Sequence, residues 1–586
     1  MLLYKNVFTK IYNFFKPEKK TFIVSFDAEY MNKNQSNSST ELKLDIKPFG
    51  PSQETIIKIS ELVVKDKLVK KYLDGTRNRL LWFEFIDPDD EYSKNRNEGS
   101  PPSHFRITFY DYTNNRTIFV KGILEKQDKP KILDIEESNL QPLPNNEEYE
   151  EAIQIFRQDK KIGHLLNNQQ IQIYPPMPPL LNTELPDGTI QRTINLGLIA
   201  SNNGINTDAH NKNQEQLHEI VGINMIDQTV VRFKNRRAPS NSLANDSTCG
   251  LPYADQETAQ GIAGQVWVTV KQGNTTLWKF LAVRPAASSG TNGSGIELRY
   301  LDYRGKRVLY RAHVPILNVK YSEGPCGPYR DWQNEEGMIQ ADGSDIGSSG
   351  FRLCSTPATT ILDTGSDSGN FLGVAIYVKG QEVILISEME AGWYRYISEW
   401  RLHANGTISP RFGFTAVNDS CVCNTHHHHA FWRFDFDIHT ASNNRVKEYN
   451  DPPLAGSSKW HTIKYETKRF RDPSRKRKWR IEHIDRDKGY DIVPGSNDNI
   501  ATSSPDWPFP RSDLWFLRYR GTEIDDGSIA TGPPYEAELD RFINGESLKG
   551  KDVVVWYGGH FTHDVSSEPP DSHGHVVGPK LVPFNW

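Results

Sequence analysis

The feature that most constrains the fold is the loss of helical periodicity after Gly264. From there on, short segments of alternating apolar and polar residues are separated by Gly, Asn, Asp and Pro. Val266, Val268 and Val270, for example, alternate with Trp and Thr. Successive strand residues point to opposite faces, so such segments predict strands. Many short strands separated by turns are typical of a large antiparallel β-sandwich, which we expect over residues 246–586.

The sequence before this region combines helical and strand patterns, which predict two small α+β domains. In the first, over residues 44–140, Ser52 is suited to cap a helix running to Leu73, and strands follow. In the second, over residues 141–245, a helical segment again precedes strands. Residues 1–43 form an N-terminal segment that ends in a polar linker. The predicted fold class is therefore mainly β, with a sandwich preceded by two α+β domains.

Charge and composition exclude several classes of protein. The chain of 586 residues has 69 Lys and Arg against 74 Asp and Glu, and this net charge of −5 gives no general reason to bind nucleic acid. No apolar stretch reaches the roughly 18 residues of a membrane span. Lys5, Lys10 and Lys16 interrupt the apolar character that a cleavable signal peptide needs. We expect a soluble protein, with an intracellular location favoured over others.

The strongest chemical signal is the distribution of histidine. Twelve of the 17 His residues follow residue 400, and the run from His426 to His429 is continuous. This run leads into an alternating segment that predicts a strand. Residues two apart on a strand share a face at about 7 Å, so His426 and His428 can hold one metal ion. Imidazole suits Cu, Zn, Ni or Fe, and the affinity order favours Cu(II). The alternatives are a solvated polar loop and an adventitious nickel-binding tract.

A third candidate ligand lies in the segment from Trp556 to His563. His563 follows a strongly apolar strand pattern, which would hold a ligand rigidly. His560, His573 and His575 lie nearby in the sequence.

These motifs resemble those of the copper amine oxidase family. In that family a His-x-His metal motif precedes a strand reading Arg-Leu-Asp-x-Asp, and here His426 to His428 precede Arg-Phe-Asp-Phe-Asp at 433–437. The segment ending at His563 is similar to the one that holds the family's third ligand. Residues 303–311 and 319–325 resemble two further family stretches. The resemblance implies copper bound by His426, His428 and His563, and it extends to the paired α+β domains.

The resemblance also implies a cofactor made from a tyrosine. In the family, copper and dioxygen oxidise this tyrosine to topaquinone, whose carbonyl condenses with a primary amine. Residues 390–400 are similar to the family's segment, which makes Tyr394 the implied precursor. Glu390, Trp393 and Arg395 depart from the family pattern. We expect Trp393 to add bulk near the ring and Arg395 to supply a cation that favours the phenolate.

Further site residues are implied by the same resemblance. Tyr321 would hydrogen-bond the quinone oxygen, and a carboxylate would act as the general base. Counting along the chain from Tyr321 reaches Glu335, while Asp331 is the nearest Asp. These two are the candidate bases, and for each the alternative is an ordinary surface carboxylate.

Three aspartates match a peripheral calcium site of the family, namely Asp435, Asp437 and Asp552. Carboxylate oxygens suit Ca²⁺. Asp435 and Asp437 share one strand face, so pairing with basic side chains is the alternative.

The function implied is oxidation of a primary amine by O₂, giving aldehyde, ammonia and hydrogen peroxide. The alternative is a non-catalytic or non-quinone copper-binding protein of the same fold. From the resemblance, and from a predicted long hairpin between Trp460 and Ile481, we expect a homodimer in which the hairpins embrace the partner. The sequence does not specify the amine, because the loops that select it have no recognisable pattern.

Overall fold

The computed structural model describes most of the chain after residue 40. The described residues are 41–86, 94, 98, 101, 103–176, 180–184, 190–200, 218–237, 250–251, 258–259, 264–284, 295–321, 329–330, 334–336, 339–417, 422, 425–501, 512–520, 539–563 and 574–586.

The first described region contains one strand, two helices and a four-stranded antiparallel sheet. Its elements are β1 (Leu42–Pro48), α1 (Gln53–Val64), α2 (Lys67–Leu73), β2 (Asn78–Ile86), β3 (His104–Asp111), β4 (Arg116–Glu125) and β5 (Lys129–Ser138). Ser52 caps α1 by accepting a hydrogen bond from the backbone N–H of Thr55, as predicted. The helix predicted to continue to Leu73 is interrupted, because Asp66 accepts from the N–H of Leu68 and begins α2.

The second region packs two helices on a five-stranded sheet. Its elements are α3 (Asn146–Gln158), α4 (Gly163–Asn167), β6 (Ile171–Tyr174), β7 (Leu180–Glu184), β8 (Ile190–Ala200), β9 (His218–Asn224) and β10 (Thr229–Arg237). The strand order is β10-β9-β8-β6, and β7 also pairs with β8.

The remaining described elements are short strands and one helical turn, consistent with the alternating sequence. They are β11 (Thr258–Ala259), β12 (Gly264–Gln272), β13 (Thr275–Arg284), β14 (Glu297–Tyr303), β15 (Lys306–Tyr321), β16 (Tyr329–Arg330), β17 (Asn334–Glu336), β18 (Ser344–Asp345), β19 (Phe351–Leu353), α5 (Ile361–Thr364), β20 (Val374–Lys379), β21 (Glu382–Ala391), β22 (Tyr394–His403), β23 (Ile408–Ala416), β24 (His426–Phe436), β25 (Asn444–Tyr449), β26 (Trp460–Ile463), β27 (Thr467–Arg469), β28 (Lys478–His483), β29 (Lys488–Val493), β30 (Leu514–Arg518), β31 (Val553–His563), β32 (His575–Val577) and β33 (Lys580–Phe584).

These strands form two large sheets. Sheet I has ten strands in the order β1-β12-β13-β14-β15-β24-β31-β30-β27, with β16 paired to β15. Sheet II has fourteen strands, and its main path is β18-β19-β20-β21-β22-β23-β33-β29-β28-β25-β26. The sheets face each other through aromatic side chains: Trp400 lies on Phe434, and Phe412 on Trp432, each pair with ring centroids 6.4 Å apart. The predicted mainly β fold class is confirmed.

The domain boundaries 44–140, 141–245 and 246–586 stay predictions. One strand, β1, starts the first range but pairs with a strand of the third. β1 pairs with β12 over its whole length, from Leu42 opposite Gln272 to Pro48 opposite Val266. Residues 44–48 therefore belong to sheet I rather than to the first α+β domain. Leu42, Leu44 and Ile46 are buried on one face of β1, and this burial stabilises the pairing.

The predicted hairpin between Trp460 and Ile481 is wrong. β26 and β28 do not pair with each other, since each pairs with β25 in sheet II. Between them, β27 crosses to sheet I and pairs with β30. The strands of this segment are used in both sheets of the sandwich rather than in a projecting arm.

No helix among the described residues is long and apolar enough to cross a membrane.

Candidate active site

Two neighbouring strands of sheet I carry the predicted copper ligands. β24 and β31 are antiparallel, and His426 lies directly opposite His563. Every residue of β24 is buried, because the strand is central in its sheet and covered on both faces. His426, His428 and His563 are at most 1% exposed. These three residues are called the histidine cluster below.

The other two histidines of the run point the opposite way, as strand alternation predicts. Nδ1 of His427 lies 2.9 Å from Oγ1 of Thr562, and Nδ1 of His429 lies 3.1 Å from Nδ1 of His560. These contacts are on the outer face of sheet I.

Tyr394 reaches the histidine cluster from sheet II. β21 and β22 are joined by a two-residue loop, in which Gly392 has a φ of 60° that glycine adopts without strain. The Tyr394 hydroxyl lies 2.5 Å from Nε2 of His426 and 3.0 Å from Nδ1 of His563. A hydroxyl has one proton, so it can donate to one ring and accept from the N–H of the other.

His428 is held by two tyrosines. The Tyr394 ring packs on it at 4.3 Å between centroids, and the Tyr396 hydroxyl lies 3.2 Å from its Nδ1. Its Nε2 is buried with no hydrogen-bond partner among the described residues. Burial and the neighbouring histidines lower the pKa of His428 well below the ordinary value, so the ring is neutral at neutral pH.

These nitrogen atoms fit a copper ion. Neutral imidazole suits Cu(II), and the buried Nε2 of His428 receives no hydrogen bond from the described part of the chain. Among the described residues, the nitrogen atoms of His426, His428 and His563 do not all lie within 4.8 Å of one another. The Tyr394 hydroxyl lies between two of them.

Arg395 does not place a cation beside the Tyr394 phenol, which corrects that expectation. Strand alternation puts it on the opposite face of β22. There its Nε and Nη2 lie 2.7 and 3.0 Å from the carboxylate oxygens of Asp367, and both side chains are fully buried. Its Nη1 donates to the carbonyls of Gly392 and Tyr394. Arg395 therefore secures the hairpin loop, and its charge is compensated by Asp367.

Trp393 packs against the second α+β region. Its ring lies on Tyr174 of β6, with centroids 6.3 Å apart. Its carbonyl accepts a hydrogen bond of 2.9 Å from the N–H of Val417. The bulk of Trp393 thus links the loop before Tyr394 to a separate sheet.

A buried carboxyl lies behind the same hairpin. Glu388 of β21 accepts a hydrogen bond from the N–H of Ile361 at 3.1 Å. Burial raises the pKa of Glu388 to about 8, against the opposing effects of this N–H and of Arg395. Glu388 therefore retains its proton at neutral pH.

Of the residues expected to assist Tyr394, the structure describes the backbone of Tyr321 and Glu335. Tyr321 ends β15, and its backbone pairs with that of His426. Glu335 lies in β17, and its backbone pairs with that of Met389 in β21, the strand that leads into the Tyr394 hairpin. Asp331 is outside the described residues.

Asp435, Asp437 and Asp552, called the aspartate cluster below, have carboxylate oxygens within 4.8 Å of one another. Their carboxylates surround the ammonium of Lys94, at 2.6, 2.6 and 2.8 Å. Of the two alternatives stated for these residues, the contacts match pairing with a basic side chain.

Three residues at these sites were missed in the sequence. Tyr396 had a usable signal, because it lies two residues beyond Tyr394 on a predicted strand and so shares its face. Lys94 and Asp367 had none, since each comes from a segment with no recognisable motif.

Comparison with known proteins agrees with this geometry. Residues 409–586 match the model of the copper amine oxidase enzyme domain, a range that includes the histidine cluster but not Tyr394. A copper-containing benzylamine oxidase from Hansenula polymorpha has a TM-score of 0.55 at 13% identity, covering 92% of this chain and 98% of that one. A lysyl oxidase from Pichia pastoris has a TM-score of 0.51 at 12% identity, covering 96% and 92%. An amine oxidase from Aspergillus nidulans has a TM-score of 0.50 at 11% identity, covering 94% and 90%. No curated protein matches the sequence.

The two large sheets and the two α+β regions before them give this chain the fold of the copper amine oxidases. Residues 409–586 match the copper amine oxidase enzyme domain, and the sequence identity to the solved structures is low over the whole chain. The resemblance seen in the sequence is thereby confirmed for a divergent member.

Proposed function

We propose that this protein is a copper-dependent oxidase that converts a primary amine and O₂ to an aldehyde, ammonia and hydrogen peroxide. The observation that carries the proposal is the contact of the buried Tyr394 hydroxyl with both His426 and His563. A core tyrosine needs only one partner for its hydroxyl, whereas this one lies among nitrogen atoms suited to copper.

His426, His428 and His563 would hold the copper ion, and Tyr394 would be the precursor of topaquinone. Bound copper would supply the reaction with dioxygen that oxidises Tyr394, and the resulting quinone would take electrons from the amine. Tyr396 would orient His428 through its Nδ1, as outer hydrogen bonds commonly orient metal-binding histidines.

The chain also supplies a dry environment around Tyr394. Its ring is 2% exposed, and it stacks on Tyr396 with centroids 5.7 Å apart. Exclusion of water strengthens the hydrogen bonds between the phenol and the two imidazoles. The phenol proton therefore has a direct acceptor in the cluster. We propose Tyr321 as a hydrogen-bond partner of the oxidised ring, and Glu335 or Asp331 as the general base.

Peptide mass spectrometry after aerobic copper loading tests the proposal. The expected product is Tyr394 with two oxygen atoms gained and two hydrogen atoms lost. Tyr396 is a matched internal control, because it lies on the same strand face but contacts neither His426 nor His563 in the hydrogen bonds described above. A copper-replete chain with unmodified Tyr394 would favour the alternative, a copper-binding protein without a quinone.

We also propose that the enzyme is a homodimer, as its resemblance to the family implies. Large apolar side chains of the 450–470 segment are exposed, including Leu454 at 50% and Tyr465 at 60%, and association would cover such groups. Light scattering on the full chain should give twice the monomer mass, and a monomeric mass would contradict the proposal.

A further inference from the structure

The aspartate cluster lies at the end of β24 opposite to the histidine cluster. Asp435 is on the outer face of the strand, Asp437 follows its end, and Asp552 precedes β31. Lys94, from the segment between β2 and β3, places its Nζ 2.6 Å from Asp435, 2.6 Å from Asp437 and 2.8 Å from Asp552. The Lys94 side chain is 8% exposed and that of Asp435 is fully buried.

Two aromatic rings complete the surroundings of the ammonium. Nζ of Lys94 lies 4.9 Å from the ring centroid of Tyr310 and 4.3 Å from that of Tyr519. Ring faces attract ammonium groups through their quadrupole. They are poor substitutes for the oxygen ligands that a hard divalent cation requires.

The hydrogen-bonding capacity of Lys94 is matched to the cluster. An ammonium has three N–H donors, and three carboxylates accept from it. Burial by itself would lower the pKa of Lys94, but the charges of Asp435, Asp437 and Asp552 outweigh it and raise that pKa. Lys94 therefore stays charged at neutral pH. A second cation, Arg433, lies 3.6 Å from Asp435.

Calcium does not fit this arrangement. It takes six to eight oxygen ligands, and here the centre of the carboxylates is taken by a nitrogen and two sides are ring faces. The calcium site implied by the sequence is thus replaced by groups of the chain itself.

We propose that Lys94, which lies between β2 and β3 in the sequence, is a built-in cation that takes the place of a divalent ion and ties its own position in the chain to sheet I. The inference is independent of the proposed oxidase activity. A second contact of the same segment, between Glu98 and Arg307 at 2.8 Å, provides a matched control.

The test compares copper-loaded wild type with Lys94→Ala, after dialysis against calcium-free buffer. Wild type should contain no stoichiometric calcium, and its Tm should not change when Ca²⁺ is added. Lys94→Ala removes the ammonium that contacts all three carboxylates and leaves only Arg433 beside Asp435, so its Tm should fall by several degrees, and added Ca²⁺ should restore part of the loss.

Two control variants distinguish the loss of the Lys94 charge from the loss of a contact made by a nearby residue. Glu98→Gln removes the contact with Arg307 but leaves the aspartate cluster intact, so the Tm of this variant should not respond to Ca²⁺. Lys94→Arg keeps a cation, so its Tm should also not change when Ca²⁺ is added. This variant keeps the test usable if Lys94→Ala does not fold. Stoichiometric calcium in wild type would overturn the proposal. So would a Lys94→Ala chain that is as stable as wild type or that Ca²⁺ does not stabilise.

Discussion

The histidine cluster and the aspartate cluster are built on the same strand, β24, and they differ in what completes them. His428 keeps a buried nitrogen without a partner among the described residues, whereas the aspartates receive the ammonium of Lys94. An unpaired buried polar atom is costly, so the first arrangement is suited to a ligand from outside. The aspartate cluster has its cation once the chain has folded. Variants of the histidine cluster should therefore change the metal content of the protein, and variants of buried groups that pair within the chain should change its stability.

The largest effect should come from His426→Ala combined with His428→Ala. Removing two of three imidazoles should reduce the copper content from about one ion per chain to none. Elemental analysis of chain purified without an affinity tag measures this. His427→Ala is the matched control, because His427 belongs to the same run but faces Thr562. Full copper content in the double variant would exclude these ligands.

Asp367→Ala tests a second self-paired group, the buried ion pair with Arg395. It removes the closer of two carboxylates beside the buried guanidinium and leaves Glu390 at 3.6 Å; breaking a buried ion pair typically costs about 3–5 kcal/mol of unfolding free energy. Urea unfolding gives the value. Asp451→Ala removes the partner of Lys459 at the surface and should change the unfolding free energy much less, because solvent screens this pair. Equal effects of the two variants would show that burial does not distinguish these pairs.

Glu388→Gln should change how stability depends on pH. The pKa of Glu388 is raised to about 8 by burial, so the folded chain retains a proton that the unfolded chain has lost. The stability of wild type should then be full below the ordinary glutamate range and fall as the pH rises toward 8, by up to about 1.4 kcal/mol per pH unit. Gln mimics the protonated carboxyl and should flatten this slope between pH 6 and 8.

Urea midpoints measured across that range test the expectation. Glu382→Gln, on the same strand but with a side chain 27% exposed, is the control that should retain the wild-type slope. An unchanged slope in Glu388→Gln would show that Glu388 is ionised in the folded chain.

The smallest effect should come from Tyr396→Phe. The variant removes the hydroxyl beside Nδ1 of His428 and keeps the ring. Loss of such an outer hydrogen bond typically weakens metal affinity about 10–100-fold. Competition with a copper chelator measures the affinity. Tyr490→Phe, whose hydroxyl contacts the carbonyl of Gly406 instead, is the matched control. Equal copper affinities of the two variants would show that the Tyr396 hydroxyl does not support copper binding.

Local patterns in the sequence were sufficient for several parts of this arrangement. Alternation on β24 separates His426 and His428 from His427, because side-chain direction on a strand depends only on the count of residues. The same count places Arg395 on the face opposite to Tyr394, so the expected cation beside the phenol could have been rejected from the sequence.

Other parts depended on contacts between distant segments. No local pattern brings Lys94 to Asp435 or Asp367 to Arg395, since these partners come from loops whose paths are set by the packing of whole sheets. The segment from Trp460 to Ile481 was misassigned for a related reason. Its alternation is genuine, but β26 and β27 find their partners in different sheets.

The pairing of β1 with β12 has a consequence for the order of assembly. Both α+β regions lie between these strands in the chain, so closing this pair requires a long loop and makes the pairing a slow, non-local step. Chains are made from the N-terminus, so β1 is synthesised well before its partner. His563 is later still, at the end of β31. The surroundings of Tyr394 are therefore completed only after His563 has been made, and any chemistry at the Tyr394 ring is a maturation event that follows folding.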